Sequence, residues 1–121
     1  MAKMNLLIDK STANGAYVIK VDGELDVYTA PRLKDAIAEG LAGGHKTLVV
    51  DLLNVGFLDS TALGVLVGGL RKVSSAQGEL RLVMDDPHLA KIFRITGFDG
   101  MFVIHKTLSE AISPASPRSF D

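Results

Sequence analysis

Apolar residues near the start of the chain recur in short runs that favour β-strands. Residues 4–11 and 16–21 predict two strands, and the turn between them at 11–15 ends in glycine, so the two strands are expected to form a hairpin. A third run, "TLVVDLL" at 47–53, is almost wholly apolar and rich in branched residues, which is typical of a strand buried on both faces. Residues 54–59 are then predicted to form a loop.

Elsewhere apolar residues recur every three or four positions, which predicts helices. One helix begins after Thr29, a good N-cap, carries Pro31 in its first turn and ends at Gly43–Gly44. A second helix is predicted over residues 61 to about 76. Its apolar stripe consists of Leu63, Leu66, Val67, Leu70 and Val73. The helix is also expected to pack closely on the sheet through its glycines, Gly64, Gly68 and Gly69.

The last third of the chain repeats the alternation of strands and helices. Residues 80–84 and 101–104 predict strands, a short helix begins after Asp86, and Thr107 suits the cap of a final helix. The predicted order is β-β-α-β-α-β-α-β-α. Strands separated by helices imply parallel crossovers, so we expect a single small α/β domain with a mixed sheet of four to five strands and about four helices.

The domain is expected to span residues 1–113. The remaining residues, 114–121, contain two prolines and are expected to form a flexible C-terminal tail.

Composition narrows the possible functions. The 121 residues include 13 basic and 14 acidic side chains, so no basic excess points to nucleic acid or to an anionic membrane. The absence of cysteine excludes disulfides, a thiolate metal site and a cysteine nucleophile. The start of the chain lacks the pattern of a signal peptide, and the longest uncharged run, 60–70, is shorter than the roughly 20 residues that span a bilayer. We therefore expect a cytoplasmic protein.

Signatures of catalysis are missing from the sequence. There is no phosphate-binding loop, no dinucleotide fingerprint and no nucleophile elbow around Ser60. The three histidines fall in different segments without metal-ligand spacing, and His45 and His88 are expected on the surface. We therefore expect no catalytic residue, no metal and no cofactor in this chain.

An acidic segment precedes the first helix. Glu24 and Asp26 flank Leu25, and a continuing strand would point both carboxylates to one side. They could form an acid/base pair, a metal pair or a polar patch, and the lack of a third ligand or a basic partner favours the patch. Tyr28 could be an exposed contact residue or could fill space above the helix.

Three polar residues, Asp59, Ser60 and Thr61, directly precede the uncharged stretch of the second helix. An N-cap, which contributes about 1 kcal/mol, accounts for one or two of them but does not require three. The second interpretation is a switch, because a helix N-terminus attracts anions and would tolerate a phosphate on Ser60. That phosphate would add about −1.5 to −2 charges beside Asp59. The residues alone leave both interpretations open.

Three segments, in this order, resemble the STAS-domain anti-anti-sigma factors of bacterial partner-switching systems. "GELDVYTAPRL" (23–33) is similar to the segment before the family's first helix, and "VDLLNVGFLDSTALGVLVGGLRK" (50–72) to its strand–loop–helix signature around D-S-[ST]-G-L-G. "LAKIFRITGFDGMFVIH" (89–105) resembles its third helix, turn and last strand. The resemblance covers roughly residues 5–113 and implies the STAS fold. Ala62 stands where the family usually has glycine, and alanine suits a first helical turn.

The resemblance implies a function as an anti-sigma factor antagonist. Ser60 would be the phosphate acceptor. The unphosphorylated domain would bind an anti-sigma factor that is itself a GHKL-type serine kinase, and would so free the sigma factor. Phosphorylation would end that binding, and a Ser/Thr phosphatase would reset the cycle. The residues expected at the partner contact are Glu24, Asp26, Tyr28, Asp59, Thr61 and Gly64; the acidic segment could alternatively hold the loop in shape.

Two further functions remain open at this point. The chain could be a STAS scaffold subunit of another complex, such as a stressosome-type or lipid-transport assembly. It could also be a nucleotide-binding domain that uses the helix N-terminus at Ser60, although no lysine or arginine lies between residues 47 and 70 to hold phosphates.

Overall fold

A computed structural model describes residues 6–113 of the chain. Within these residues the strands are β1 (Leu6–Ala13), β2 (Ala16–Leu25), β3 (Thr47–Leu58), β4 (Glu79–Val83) and β5 (Val103–His105). The helices are α1 (Ala30–Ala42), α2 (Ser60–Ser75), α3 (Pro87–Ile95) and α4 (Leu108–Ala111), with a short 3-10 turn at Phe98–Gly100. The predicted order of strands and helices is confirmed. The proposed tail, 114–121, lies outside the described residues.

The sheet is mixed, as predicted. Its strand order is β1-β2-β3-β4-β5, with β1 antiparallel to β2 and the other neighbours parallel. The β1–β2 hairpin turns at Asn14 and Gly15, whose φ angles of 52° and 82° are both positive. Two left-handed residues in a two-residue loop match the twist of the flanking strands, which is why Asn-Gly is favoured there.

The sheet separates two apolar layers. Helices α1, α2 and α3 cover one face and form the main core with side chains such as Ile19 and Val21 of β2. Helix α4 covers part of the other face, where Ala111 packs with Val18 and Val49. The central strand β3 is therefore buried on both faces over residues 48–52, as its apolar composition predicts.

The predicted loop at 54–59 is wrong, because β3 continues to Leu58. Strand β2 also runs on, to Leu25, and the two strands stay paired through register shifts that absorb the irregular spacing of Val55 and Leu58. Asn54 and Gly56 favour a turn when judged locally, but tertiary pairing overrides that preference. The extension carries both strands to a common end. From there β2 leads into the loop before α1, and β3 leads into α2.

The three glycines of α2 do not all have the predicted role of allowing close packing. Only Gly69 packs tightly, since an added Cβ would lie 2.9 Å from Cδ1 of Ile37 in α1. At Gly64 and Gly68 an added Cβ would meet nothing within 4 Å. The expectation that all three allow close packing on the sheet is therefore wrong for Gly64 and Gly68. At Gly69 the close neighbour is α1, and the Cδ2 atom of Leu80 in the sheet would lie 3.8 Å from the added Cβ.

Two histidines depart from a simple surface position. His45 is half-buried, with its ring centroid 4.8 Å from that of Tyr17 and its Nδ1 3.1 Å from the carbonyl oxygen of Gly40. Its predicted surface position is therefore confirmed only in part, whereas His88 is exposed as predicted. His105 is buried at the end of β5, and burial lowers the pKa of its imidazole.

Candidate functional site

The ends of β2 and β3 lie side by side and lead into α1 and α2. Leu25 pairs with Leu58, and the backbone N–H of Asp59 donates to the carbonyl oxygen of Leu25 at 3.1 Å. The segments that follow the two strands are thus held next to each other. We call residues 24–29 and 57–61 together the strand-end surface.

Asp26 and Thr29 lock the loop between β2 and α1. One carboxylate oxygen of Asp26 accepts hydrogen bonds from the backbone N–H groups of Tyr28 at 2.9 Å and Thr29 at 3.0 Å. The hydroxyl of Thr29 accepts from the N–H of Asp26 at 2.9 Å and donates to the carbonyl oxygen of Glu24 at 2.7 Å. The N–H of Thr29, together with these other donors, lowers the pKa of the Asp26 carboxyl.

This loop limits the chemistry of the two carboxylates. Thr29 occupies the N-cap position of α1, as predicted, but its hydroxyl makes no capping bond, because it is used inside the loop. Strand β2 ends at Leu25, so Asp26 no longer follows strand geometry, and its carboxylate is turned toward backbone N–H groups. Among residues 6–113, no group of three or more side chains is placed to hold a metal ion.

The strand-end surface exposes apolar side chains. Tyr28 is 85% exposed, Val27 54% and Phe57 49%. Glu24, also exposed, lies beside Phe57 in the β2–β3 register. Large exposed apolar groups near one another are typical of surfaces that contact other proteins.

Val27 and Phe57 are not predicted from the sequence. Both lie in segments without clear periodicity, where an apolar residue gives no sign of whether it points inward or outward. The register of β3 beside β2 determines the position of Phe57, and that register depends on the strand extension that the sequence did not predict.

Asp59 is the N-cap of α2. Its backbone is extended (φ −103°, ψ −177°), and its carboxylate accepts from the N–H of Ala62 at 3.0 Å. Ser60 and Thr61 are exposed, and no side-chain hydrogen bond of either residue is found within residues 6–113. One of the three polar residues therefore makes the cap, and two hydroxyls are left at the start of the helix.

The residues that follow divide between the core and the surface. Ala62 is fully buried, so its methyl group faces the interior and not a partner. Gly64, one turn further along α2 than Ser60, is exposed. Ala62, where the resemblance implies a glycine, is thus hidden beneath the surface that carries Ser60.

Comparison with known proteins identifies the family. Residues 8–111 match the STAS domain. The chain is 35% identical over 103 residues to an anti-sigma-B factor antagonist of Staphylococcus aureus, an alignment that covers 85% of this chain and 95% of the relative. The chain belongs to the STAS family, among its anti-sigma factor antagonists. The predicted STAS fold is thereby confirmed.

Solved structures of anti-sigma factor antagonists have the same fold. An anti-sigma factor antagonist from Mycobacterium paratuberculosis superposes with a TM-score of 0.81 at 32% identity, covering 88% of this chain and 91% of that one. The phosphorylated form of SpoIIAA from Bacillus shares the fold, with a TM-score of 0.68 at 24% identity over 88% of this chain and 96% of that one. In the part of the STAS chain described here, no helix is long and apolar enough to cross a membrane.

Proposed function

We propose that this STAS domain binds an anti-sigma factor that is also a GHKL-type serine kinase, and that phosphorylation of Ser60 ends the binding. In its unphosphorylated form the domain releases the sigma factor from that partner. The observation that carries the proposal is the exposed hydroxyl of Ser60 at the first residue of α2, where Asp59 already makes the cap.

The start of α2 suits a phosphate physically. The N–H groups of a first helical turn and the helix dipole favour negative charge, so a phosphate on Ser60 need not disrupt the helix. Because the carboxylate of Asp59 satisfies the N–H of Ala62, phosphorylation takes no hydrogen bond away from the cap. The modified and unmodified chains therefore share one fold.

The same phosphate changes the surface sharply. It adds about −1.5 to −2 charges to a region that already contains the carboxylates of Glu24 and Asp59. A partner fitted to the unmodified surface would then face uncompensated negative charge, and like-charge juxtaposition across an interface is costly. This is the physical basis we propose for the release.

We assign different contributions to the residues of the strand-end surface. Tyr28 and Phe57 supply apolar contact area for the partner, and Glu24 supplies a charge beside them. Thr61 flanks the acceptor. Asp26 acts as a positioning residue, since its hydrogen bonds fix the loop that displays Tyr28.

Phosphosite mapping tests the proposal. The chain is incubated with its cognate anti-sigma kinase, ATP and Mg²⁺, and the modified residue is located by mass spectrometry. We expect one phosphate on Ser60, none on Ser60→Ala, and normal labelling of the control variant Ser75→Ala, which removes an exposed serine at the far end of α2. Label on Thr61, or an unmodified chain despite an active kinase, would contradict the assignment.

Release of the sigma factor tests the consequence. The unphosphorylated chain is expected to displace the sigma factor from the kinase in a reconstituted mixture, and the phosphorylated chain is not. A Ser/Thr phosphatase is expected to restore displacement. Recovery of the chain in a stressosome-type or lipid-transport assembly, without binding to any anti-sigma kinase, would instead indicate a scaffold.

A further inference from the structure

An open groove runs between α1 and α2 on the outer side of the domain. It has a volume of about 310 Å³ and is lined along α2 from Thr61 to Lys72. The eleven residue-to-residue steps from Thr61 to Lys72 correspond to a length of about 16 Å at ~1.5 Å per residue. The groove therefore begins next to Ser60 and continues for about three helical turns.

Two glycines leave the backbone of α2 uncovered at the floor of the groove. Gly64 and Gly68 lie one turn apart along it, and an added Cβ at either position would meet nothing within 4 Å. Ala38 of α1, which is exposed, and Val65 of α2, which is partly buried, add apolar surface. An added Cβ would be crowded by α1 at position 69 but not at 64 or 68, so these two glycines leave space that the fold does not use.

Positive charge accompanies this apolar surface. Lys34 of α1 and Lys72 of α2 both line the groove and are exposed. Within residues 6–113 neither lysine has an ion-pair partner, whereas Lys10 pairs with Glu39 at 2.7 Å. An apolar groove about three turns long with unpaired lysines suits an amphipathic helix whose polar face is acidic.

We propose that the groove binds an acidic amphipathic helix of the anti-sigma factor. Apolar side chains of that helix lie over Gly64 and Gly68, and its carboxylates pair with Lys34 and Lys72. The inference rests on the proposed function, because it assigns the helix to the same partner. It extends the partner contact from the strand-end surface along α2.

The position of the groove links it to phosphorylation. Thr61 lines the end of the groove that lies at the start of α2, and Ser60 is the preceding residue of the same helix. A phosphate on Ser60 would lie at the mouth of the groove, where it would repel the carboxylates of an acidic helix. Charge on one side chain would thereby weaken a contact about 16 Å long.

Filling the groove tests its use. Gly68→Leu places a side chain over the open floor and replaces a helical glycine with a good helix former, so the domain is expected to fold. Ser74→Leu is the matched control, because Ser74 is an exposed residue of α2 away from the groove lining. With the full chain and the cognate kinase in calorimetry, we expect Gly68→Leu to weaken binding at least about tenfold and Ser74→Leu to change it less than about twofold.

Charge reversal tests the acidic character of the occupant. The double variant Lys34→Glu, Lys72→Glu is expected to weaken binding at low salt, with a loss that shrinks as the ionic strength rises. The control Lys20→Glu, Lys91→Glu makes the same change of net charge at exposed positions away from the groove. Equal losses in the two double variants would contradict a specific role for the groove lysines.

The outcomes of these binding experiments distinguish a failure of the groove proposal from a failure of the proposed function. If the kinase binds and phosphorylates Ser60 on wild-type chain but binds Gly68→Leu equally well, the groove proposal is overturned and the proposed function stands. If wild-type chain is neither bound nor phosphorylated, both fall. A wild-type dimer in sedimentation that Gly68→Leu abolishes, with kinase affinity unchanged, would identify a second copy as the occupant and would also overturn the proposal.

Discussion

The two loops that lead into α1 and α2 start from similar sequences and end with different uses of their polar groups. Each follows one of two adjacent parallel strands. Asp26 and Thr29 lie in the loop before α1, whereas Asp59 is followed by Thr61 in the first turn of α2. In the first loop the aspartate and the threonine hydrogen-bond to each other's backbone. In the second, only the aspartate is engaged.

The difference explains which loop offers a group for modification. A hydroxyl that both accepts and donates inside its own loop, like that of Thr29, is unavailable to a partner enzyme. Ser60 and Thr61 are exposed because a single carboxylate makes the cap of α2. A rigid loop that displays Tyr28 therefore lies beside a helix start that presents hydroxyls.

The largest expected effect is on partner affinity when charge is placed at Ser60. We expect Ser60→Asp to weaken kinase binding by about 5- to 150-fold, the range of a coupling of about 1–3 kcal/mol. Ser60→Ala, which removes the hydroxyl without adding charge, is expected to bind like wild type. Titration calorimetry at fixed salt measures both, and equal affinities for the two variants would contradict gating by charge.

The second prediction concerns stability and separates the two threonines. Thr29→Val keeps the side-chain shape but leaves the carbonyl of Glu24 and the N–H of Asp26 without their partner, so the free energy of unfolding should fall by about 1–3 kcal/mol. Thr61→Val removes no observed hydrogen bond and should change it by less than about 0.5 kcal/mol. Urea unfolding followed by circular dichroism gives both values. A similar loss in both variants would mean that the two loops are equally constrained.

The element order could be predicted from the sequence because most elements carry strong local signals. The Asn-Gly turn, the apolar 47–53 run and the stripe of α2 each point to one structure. The extension of β3 through 54–58 could not be predicted, since it depends on pairing with a neighbouring strand and not on local preference. The 3-10 turn at 98–100 was missed for a similar reason, as its segment was too short to show a period.

The candidate site could be predicted in part. The acceptor serine and its flanking residues follow from a short motif with a clear helix start. The motif does not reveal which of Asp59, Ser60 and Thr61 makes the capping hydrogen bond, because Asp59 and Ser60 are both good capping residues. The outward orientation of Phe57 and the groove over Gly64 and Gly68 depend on how distant segments pack, so the spacing of residues along the chain cannot reveal them.

The third prediction concerns the first helical turns, where both helices bury an alanine. Ala30 and Ala62 are both fully buried, so we expect each alanine to have a structural role. Ala62→Gly should lower the free energy of unfolding by about 1–2 kcal/mol, from a lost buried methyl group and a less favourable helical residue. Ala38→Gly, at an exposed position of α1, isolates the second contribution. Unchanged stability with altered kinase affinity in Ala62→Gly would place the residue at the partner contact instead.

The smallest expected effect is the pH dependence that the first loop contributes. The backbone N–H of Thr29 is the main cause of the lowered pKa of Asp26, so the folded pKa lies below the ordinary value of 3.8. A carboxyl with a lowered folded pKa stabilises the fold fully above its unfolded pKa, and this contribution is lost as the pH falls through the folded value. NMR titration of the Asp26 carboxyl should therefore give a midpoint below 3.8. Asp26→Asn should make stability less dependent on pH in the acid range. A midpoint at or above 3.8 would show that the backbone N–H groups do not hold the carboxylate, and that the loop before α1 is no more constrained than the start of α2.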